Sequence, residues 1–281
     1  MSRYEVVHTN AFRYQAPVRA SYNEARMTPS QGRGQRLIDF ELDIDPATSR
    51  YEYTDYWGTR VTSFEVLRPH SQLSIVGRSV VETAVIDIAQ RSDATWGDLR
   101  DEAQRDRMSG YLMTSAATEV PGEVCEVARS YADVEEPDSA AVSISLALRD
   151  EMEYVPGVTT AHTLATEAWH VRKGVCQDIA QLTVGALRSV GIPALYVSGY
   201  YDPRDGADLD GATVIGQSHA WVEWWAGSWR AFDPTNRAPV GDRYIVIGRG
   251  REYADVPPFK GVYTGGGTSA LDVSVAMTRR N

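Results

Sequence analysis

Cysteine and lysine are both scarce. The 281 residues contain 2 cysteines, and of 28 basic side chains only Lys173 and Lys260 are lysines. Two cysteines cannot form the disulfide framework of a small secreted protein, and two lysines leave few amines of the chain's own for acyl-transfer chemistry. No apolar run approaches the roughly 20 residues that a helical membrane span requires. The opening MSRYEVVHTNAFRY alternates polar and apolar residues where a signal peptide would have a basic segment and an apolar core, so it reads as a strand and the expected compartment is the cytoplasm. Neither GxGxxG nor GxxxxGK[ST] occurs, which removes support for nucleotide binding. CxxC and HxxxH are also missing, so neither a metal centre nor a cofactor is expected. Positive charge is not clustered and the formal net charge is -10, which excludes nucleic acid and anionic membrane as natural partners.

What is present is an ordinary globular composition, with 43% hydrophobic and 23% charged residues. A chain of this length exceeds a comfortable single core, so two domains are expected. From Arg3 to about Thr83 the pattern has period two, broken by Pro, Gly, Asn and Asp, and Trp57-Gly58 falls between two alternating runs as a hairpin turn would. The period shifts toward helix near residues 88 to 95. The segments GEVCEVARSYADV, DSAAVSISLALRDEMEYV and TAHTLATEAWHV place apolar residues three and four apart. A helix over about 176 to 191 follows, and then the strand-like runs IPALYVSGYY, SHAWVEWW, SWRAFDPT, DRYIVIGRG and TSALDVSVAMTR. The predicted architecture is α+β: an N-terminal antiparallel, β-sandwich-like domain over 1–90, and a domain over 91–281 in which a cysteine-bearing helix packs on an antiparallel sheet.

Cys176 stands at the start of that helix, in GVCQDIAQLTVGALRSVGIPALYVSGY. The partial positive charge of a helix N-terminus favours a thiolate, which is the nucleophilic form of cysteine. Gly174 suits a tight turn into the helix, and Ile179, Leu182, Val184, Leu187 and Val190 give it a buried face. Cys125, beside Val124 and Val127, reads as a buried small hydrophobe. His219 heads the run SHAWVEWW and Asp233 ends WRAFD, with the hairpin-length AGS between the two strands. Antiparallel pairing can therefore set a carboxylate beside an imidazole.

These blocks together resemble the three catalytic blocks of the transglutaminase-like superfamily, in its bacterial branch with an N-terminal β domain. ASYNEARMTP and DYWGTRVTSFEVLRPHSQLSIVGRSVVE resemble that branch's N-terminal domain, and VIGRGREYADVPPFKGVYTGGG resembles its C-terminal segment. The resemblance implies a papain-like arrangement with Cys176 as nucleophile, His219 as general base and acid, and Asp233 as orienting carboxylate, acting on a peptide or protein substrate through an acyl-thioester. The triad serves water and amine acceptors equally, so protease or amidase action, glutamine acyl transfer and deamidation all follow from it, and a catalytically silent peptide-binding module is the alternative of another class. Tyr154, Trp169 and His170 lie upstream as candidates for an oxyanion donor. Asp178 is expected to favour the helix N-terminus without a catalytic role. Tyr253 and Asp255 are candidates for the border of the cleft. The Trp-rich SHAWVEWWAGSWR reads mainly as core.

Overall fold

A computed structural model describes residues 2–85, 93–204, 211–265 and 267–280. The N-terminal part contains five strands: β1 (Ser2–Ala25), β2 (Gln35–Asp45), β3 (Arg50–Thr54), β4 (Arg60–Val66) and β5 (His70–Thr83). Short helices follow, α1 (Trp96–Arg100), α2 (Glu102–Arg107) and α3 (Ser109–Leu112), and then the longer α4 (Gly122–Ala132) and α5 (Pro137–Asp150). Two-residue strands β6 (Glu153–Tyr154) and β7 (Lys173–Gly174) flank α6 (Ala165–Val171), and α7 (Cys176–Ser189) leads into β8 (Ala194–Tyr201). The remainder is strand: β9 (Thr213–Gly216), β10 (His219–Trp225), β11 (Trp229–Asp233), β12 (Ala238–Pro239), β13 (Tyr244–Gly250), β14 (Phe259–Gly265) and β15 (Ser269–Arg280). The class is α+β with a transglutaminase-like core, as the sequence implies.

β1 is the frame of the N-terminal sheet. Its alternation puts Tyr4, Val6, His8 and Asn10 inward, and over residues 2 to 14 it pairs with β5 on one side and β15 on the other. The register with β5 breaks between Arg13 and Val18, where Pro17 cannot donate to the ladder. Beyond the break β1 pairs instead with β4 and β14. One long strand therefore serves two halves of an eight-stranded sheet, which fold around a core containing Val18, Met27, Phe64, Leu73 and Ile75. The Trp57-Gly58 turn closes the β3–β4 hairpin, with Gly58 at φ 83° and the Asp55 carboxylate accepting from the Trp57 and Thr59 amides.

The 1–90 and 91–281 division does not follow the sheets. The boundary itself lies among residues 86 to 92, outside the described residues, while β9, β14 and β15, all assigned by sequence to the catalytic part, belong to the eight-stranded sheet. The alternation of Ser269–Arg280 is visible in the sequence; which sheet it joins is a long-range pairing that local pattern does not encode.

The second sheet, in order β12-β11-β10-β8-β13, is antiparallel throughout. α7 packs on it and is itself covered by α4, α5 and α6, so residues 178 to 188 are all buried. Arg188, near the buried end of α7, donates to the carbonyls of Tyr111, Met113, Ala194 and Arg251, and so ties the end of α3, the start of β8 and the residue after β13 to the helix C-terminus.

The two sheets meet across Tyr4, Val6, Val81, Val275 and Met277 from one side and Tyr200, Ile245 and Ile247 from the other. The Gln35 side-chain amide completes this seam, donating to the Val246 carbonyl and accepting from its N–H, both at 2.8 Å. Truncating the fully buried Ile245 to alanine is expected to destabilise the protein by about 3 kcal/mol, the middle of the range for such cavities. Urea denaturation measures this, and a loss below about 1 kcal/mol would show that the seam does not hold the sheets together.

Candidate active site

The position of Cys176 is built from the turn before α7. β7 runs parallel to β6, pairing Tyr154 with Gly174, and the Val155 amide donates to the Gly174 carbonyl. Four residues on, the Asp178 side chain folds back over the helix start: its Oδ2 accepts from the Val175 amide at 2.7 Å and from the Thr159 hydroxyl at 2.7 Å. A Cβ on Gly174 would lie 2.7 Å from both the Asp178 Cβ and Oδ2. Glycine is required there for close approach rather than for the turn that its sequence context suggests. Burial pushes the Asp178 carboxyl up from its ordinary value, against the two hydrogen bonds that favour its ionised form. Asp178 thus acts as a clip that fixes where Cys176 emerges.

His219 opens β10 and Asp233 closes β11, and the hairpin register Val222↔Phe232 to Trp225↔Trp229 brings the two ends together. His219 Nε2 lies 2.6 Å from Asp233 Oδ2, which leaves Nδ1 as the ring nitrogen available to Cys176. Asp233 is wholly buried. Oδ2 also accepts from the Tyr244 hydroxyl at 3.0 Å and the Asn236 side-chain amide at 2.6 Å, while Oδ1 accepts from the Asn236 backbone N–H at 3.1 Å. The Tyr201 ring stands 5.4 Å from the imidazole and stacks at 4.5 Å on Tyr244, so the ring is held by aromatic contact as well as by the carboxylate.

The electrostatics follow from this packing. Burial alone would lower the His219 value, but the hydrogen bond to Asp233 and the interactions with Cys176 outweigh it and raise the imidazole to about 10. Burial likewise opposes ionisation of Asp233, and the hydrogen bonds from His219 and Asn236 overcome it, holding the carboxyl below its ordinary value. At neutral pH the pair is an imidazolium beside a carboxylate.

Cys176 and His219 both line a cleft of about 680 Å³, with Asp233 behind the imidazole. Of the three upstream donor candidates, Tyr154 lines this cleft. Trp169 is buried with its indole N–H on Glu123, and His170 is exposed and outside the lining. Tyr253 borders the cleft, whereas Asp255 turns away and accepts from the Arg251 amide at 2.8 Å. Cys125 is half-buried, not enclosed. Val124 and Ala128, one helical turn apart, take the inward positions of α4 and leave Cys125 at their flank.

Asn236 and Tyr244 are the residues that sequence reasoning missed. Asn236 has a faint signal in DPTN, where a polar residue three positions after the aspartate can close the turn. Tyr244 has none, because β13 reaches Asp233 only through the assembled sheet. Among the described residues, no group of three His, Cys, Asp or Glu side chains could hold a metal ion, and no helix is long and apolar enough to cross a membrane.

The arrangement is a cysteine at the head of a central helix and a His-Asp pair on an adjacent sheet, with Cys176 and His219 lining one cleft. Residues 4–82 match the model of the bacterial transglutaminase-like N-terminal region, and residues 126–234 match the transglutaminase-like superfamily. The chain is 43% identical to an uncharacterized protein of Mycobacterium leprae over 279 residues, covering 99% of each chain. It is 36% identical to an uncharacterized protein of Mycobacterium tuberculosis over 292 residues, covering 97% of this chain and 91% of that one. The crystal structure of a candidate cysteine protease from Cytophaga hutchinsonii superposes with a TM-score of 0.77 at 21% identity, over 100% of this chain and 92% of that one. The chain belongs to the bacterial transglutaminase-like family.

In Asp233→Asn, the His219 titration followed by NMR is expected to fall from about 10 toward or below 6.5. Because the His219 value is raised, its contribution to stability is complete below pH 6.5 and lost as pH rises through about 10. The stability gap between wild type and Asp233→Asn should therefore narrow over that window, and a gap independent of pH would contradict the pairing.

Proposed function

We propose that the chain is a thiol hydrolase that cleaves amide bonds of peptides or proteins, with Cys176 as nucleophile, His219 as general acid and base, and Asp233 as the group that orients the imidazole. The observation that carries this reading is the 2.6 Å bond from the buried Asp233 carboxylate to His219 Nε2, which commits one ring nitrogen and frees the other for the thiol. The Cys176 thiolate attacks the substrate carbonyl, and the oxyanion is met by the unpaired amides at the start of α7. We assign Tyr154 as the side-chain donor, supported by its position in the cleft lining and its pairing beside Gly174. Burial and the negative charges of Cys176 and Asp233 raise the Tyr154 hydroxyl, so it stays protonated. The imidazolium then gives its proton to the departing amine, leaving an acyl-thioester. Neutral His219 next takes a proton from water, the resulting hydroxide attacks the thioester, and the acid leaves with the thiolate restored.

Water is favoured as acceptor over a lysine amine because no Asp or Glu lines the cleft among the described residues, so an incoming ammonium finds no carboxylate to hold it. A free thiol nucleophile also fits the reducing cytoplasm. Iodoacetamide at about pH 6 should alkylate Cys176 at least about tenfold faster than Cys125, and His219→Ala should remove most of that advantage. Equal, slow labelling of both cysteines would overturn the reading.

A further inference from the structure

The cleft is walled on one side by the N-terminal sheet. β9 is the last strand of that sheet, paired on one edge with β15 through Thr213↔Thr278 to Gly216↔Val275. Among the described residues, no strand pairs with its other edge. Cross-strand partners share a face, so Val214 and Gly216 lie on the side of Met277 and Val275, while Ile215 lies on the opposite side. Yet all five residues from Val214 to Ser218 line the cleft. A cavity that touched only one face of the strand would meet alternate residues. Val275 and Met277 of β15 line the cleft too, so it spreads over the face that carries Val214 and Gly216, and its contact with Ile215 from the opposite face carries it round the outer edge of β9.

Three further features give this edge a use. β9 is separated from His219 only by Gln217 and Ser218, so anything aligned on the strand is led to the catalytic pair. Ile215 is 76% exposed on the rim, and a Cβ built on Gly216 has no atom within 4 Å, so the approach is open and apolar. The described cleft lining holds no Asp, Glu, Lys or Arg, and a charged side chain entering it would lose hydration without gaining a partner. An unpaired strand edge offers alternating amides and carbonyls, which an extended chain satisfies by strand addition.

We propose that the substrate is an extended peptide segment with uncharged side chains, bound by strand addition to the outer edge of β9. This rests on the function proposed above. The N-terminal sheet is then part of the substrate-binding machinery: backbone hydrogen bonds to β9 hold the chain regardless of sequence, and a described lining without Asp, Glu, Lys or Arg selects against charged side chains.

The test uses the full chain and acetyl-Ala-Leu-Ala vinyl sulfone as probe, with analogues N-methylated at each backbone amide in turn and analogues carrying Glu or Lys in place of Leu. Labelling of Cys176 is followed by intact mass, and hydrogen exchange of the labelled protein is read over residues 213 to 218. At least one N-methyl analogue and both charged analogues should label at least about tenfold more slowly than the parent, the effect of losing backbone hydrogen bonds or burying an unpaired charge. The parent adduct should protect amides in 213 to 218, and the adduct of iodoacetamide, which has no peptide backbone, should not. Equal rates for all N-methyl analogues, equal rates for the charged ones, or protection that omits 213 to 218 would overturn the proposal. If iodoacetamide itself fails to label Cys176 selectively, the catalytic reading fails first, and the two failures are distinct.

Discussion

The site depends on one buried carboxylate. A charge as fully removed from water as Asp233 is tolerated only when its lone pairs are met by donors, and removing a partner from such a group is costly. Three elements supply those donors: β10 through His219, the turn after β11 through Asn236, and β13 through Tyr244. Satisfying Asp233 therefore fixes the relative positions of the strands around it and fixes the imidazole in the same act. The raised His219 and lowered Asp233 values are two descriptions of that one interaction.

Cys176 is positioned by an independent device of the same kind. Asp178 draws Val175 and Thr159 onto the start of α7, and Gly174 leaves room for it. The helix and the hairpin are then set against each other by the common core that contains Ile179, Leu182, Val222 and Trp224. The eight-stranded sheet closes the far side. Because β9 and β15 belong to it and also line the cleft, the shape of the site depends on the seam through Ile245 and Gln35 as much as on the catalytic core.

Much of this was legible in the sequence where the signal is local. The 3.6-residue periodicity of α7, the alternation of β1, β10 and β15, and the order Cys176, His219, Asp233 all follow from spacing and from the resemblance of the quoted blocks. What escaped was set by contacts distant in the chain. β14 is absent from the strand-like runs of the sequence and becomes strand through its pairing with β1, and the four residues of β9 are too few to show a period. Tyr244 acquires its role only through the sheet. Gly174 was recognisable as special, but its reason, the Asp178 side chain against its Cα, is a packing fact. For Cys125 the residue type suggested full burial, whereas the helical phase set by Val124 and Ala128 places it only partly inside.

The central claim is that Cys176 carries an acyl group during turnover. The most direct measurement is intact mass of the protein quenched in acid after mixing with a pool of short neutral peptides, followed by mapping of the adduct. The account requires an acyl adduct on the peptide that contains Cys176, labile to hydroxylamine as a thioester is, and absent from Cys176→Ala. Peptide cleavage that persists in Cys176→Ala, or an adduct that maps to Cys125, would contradict it.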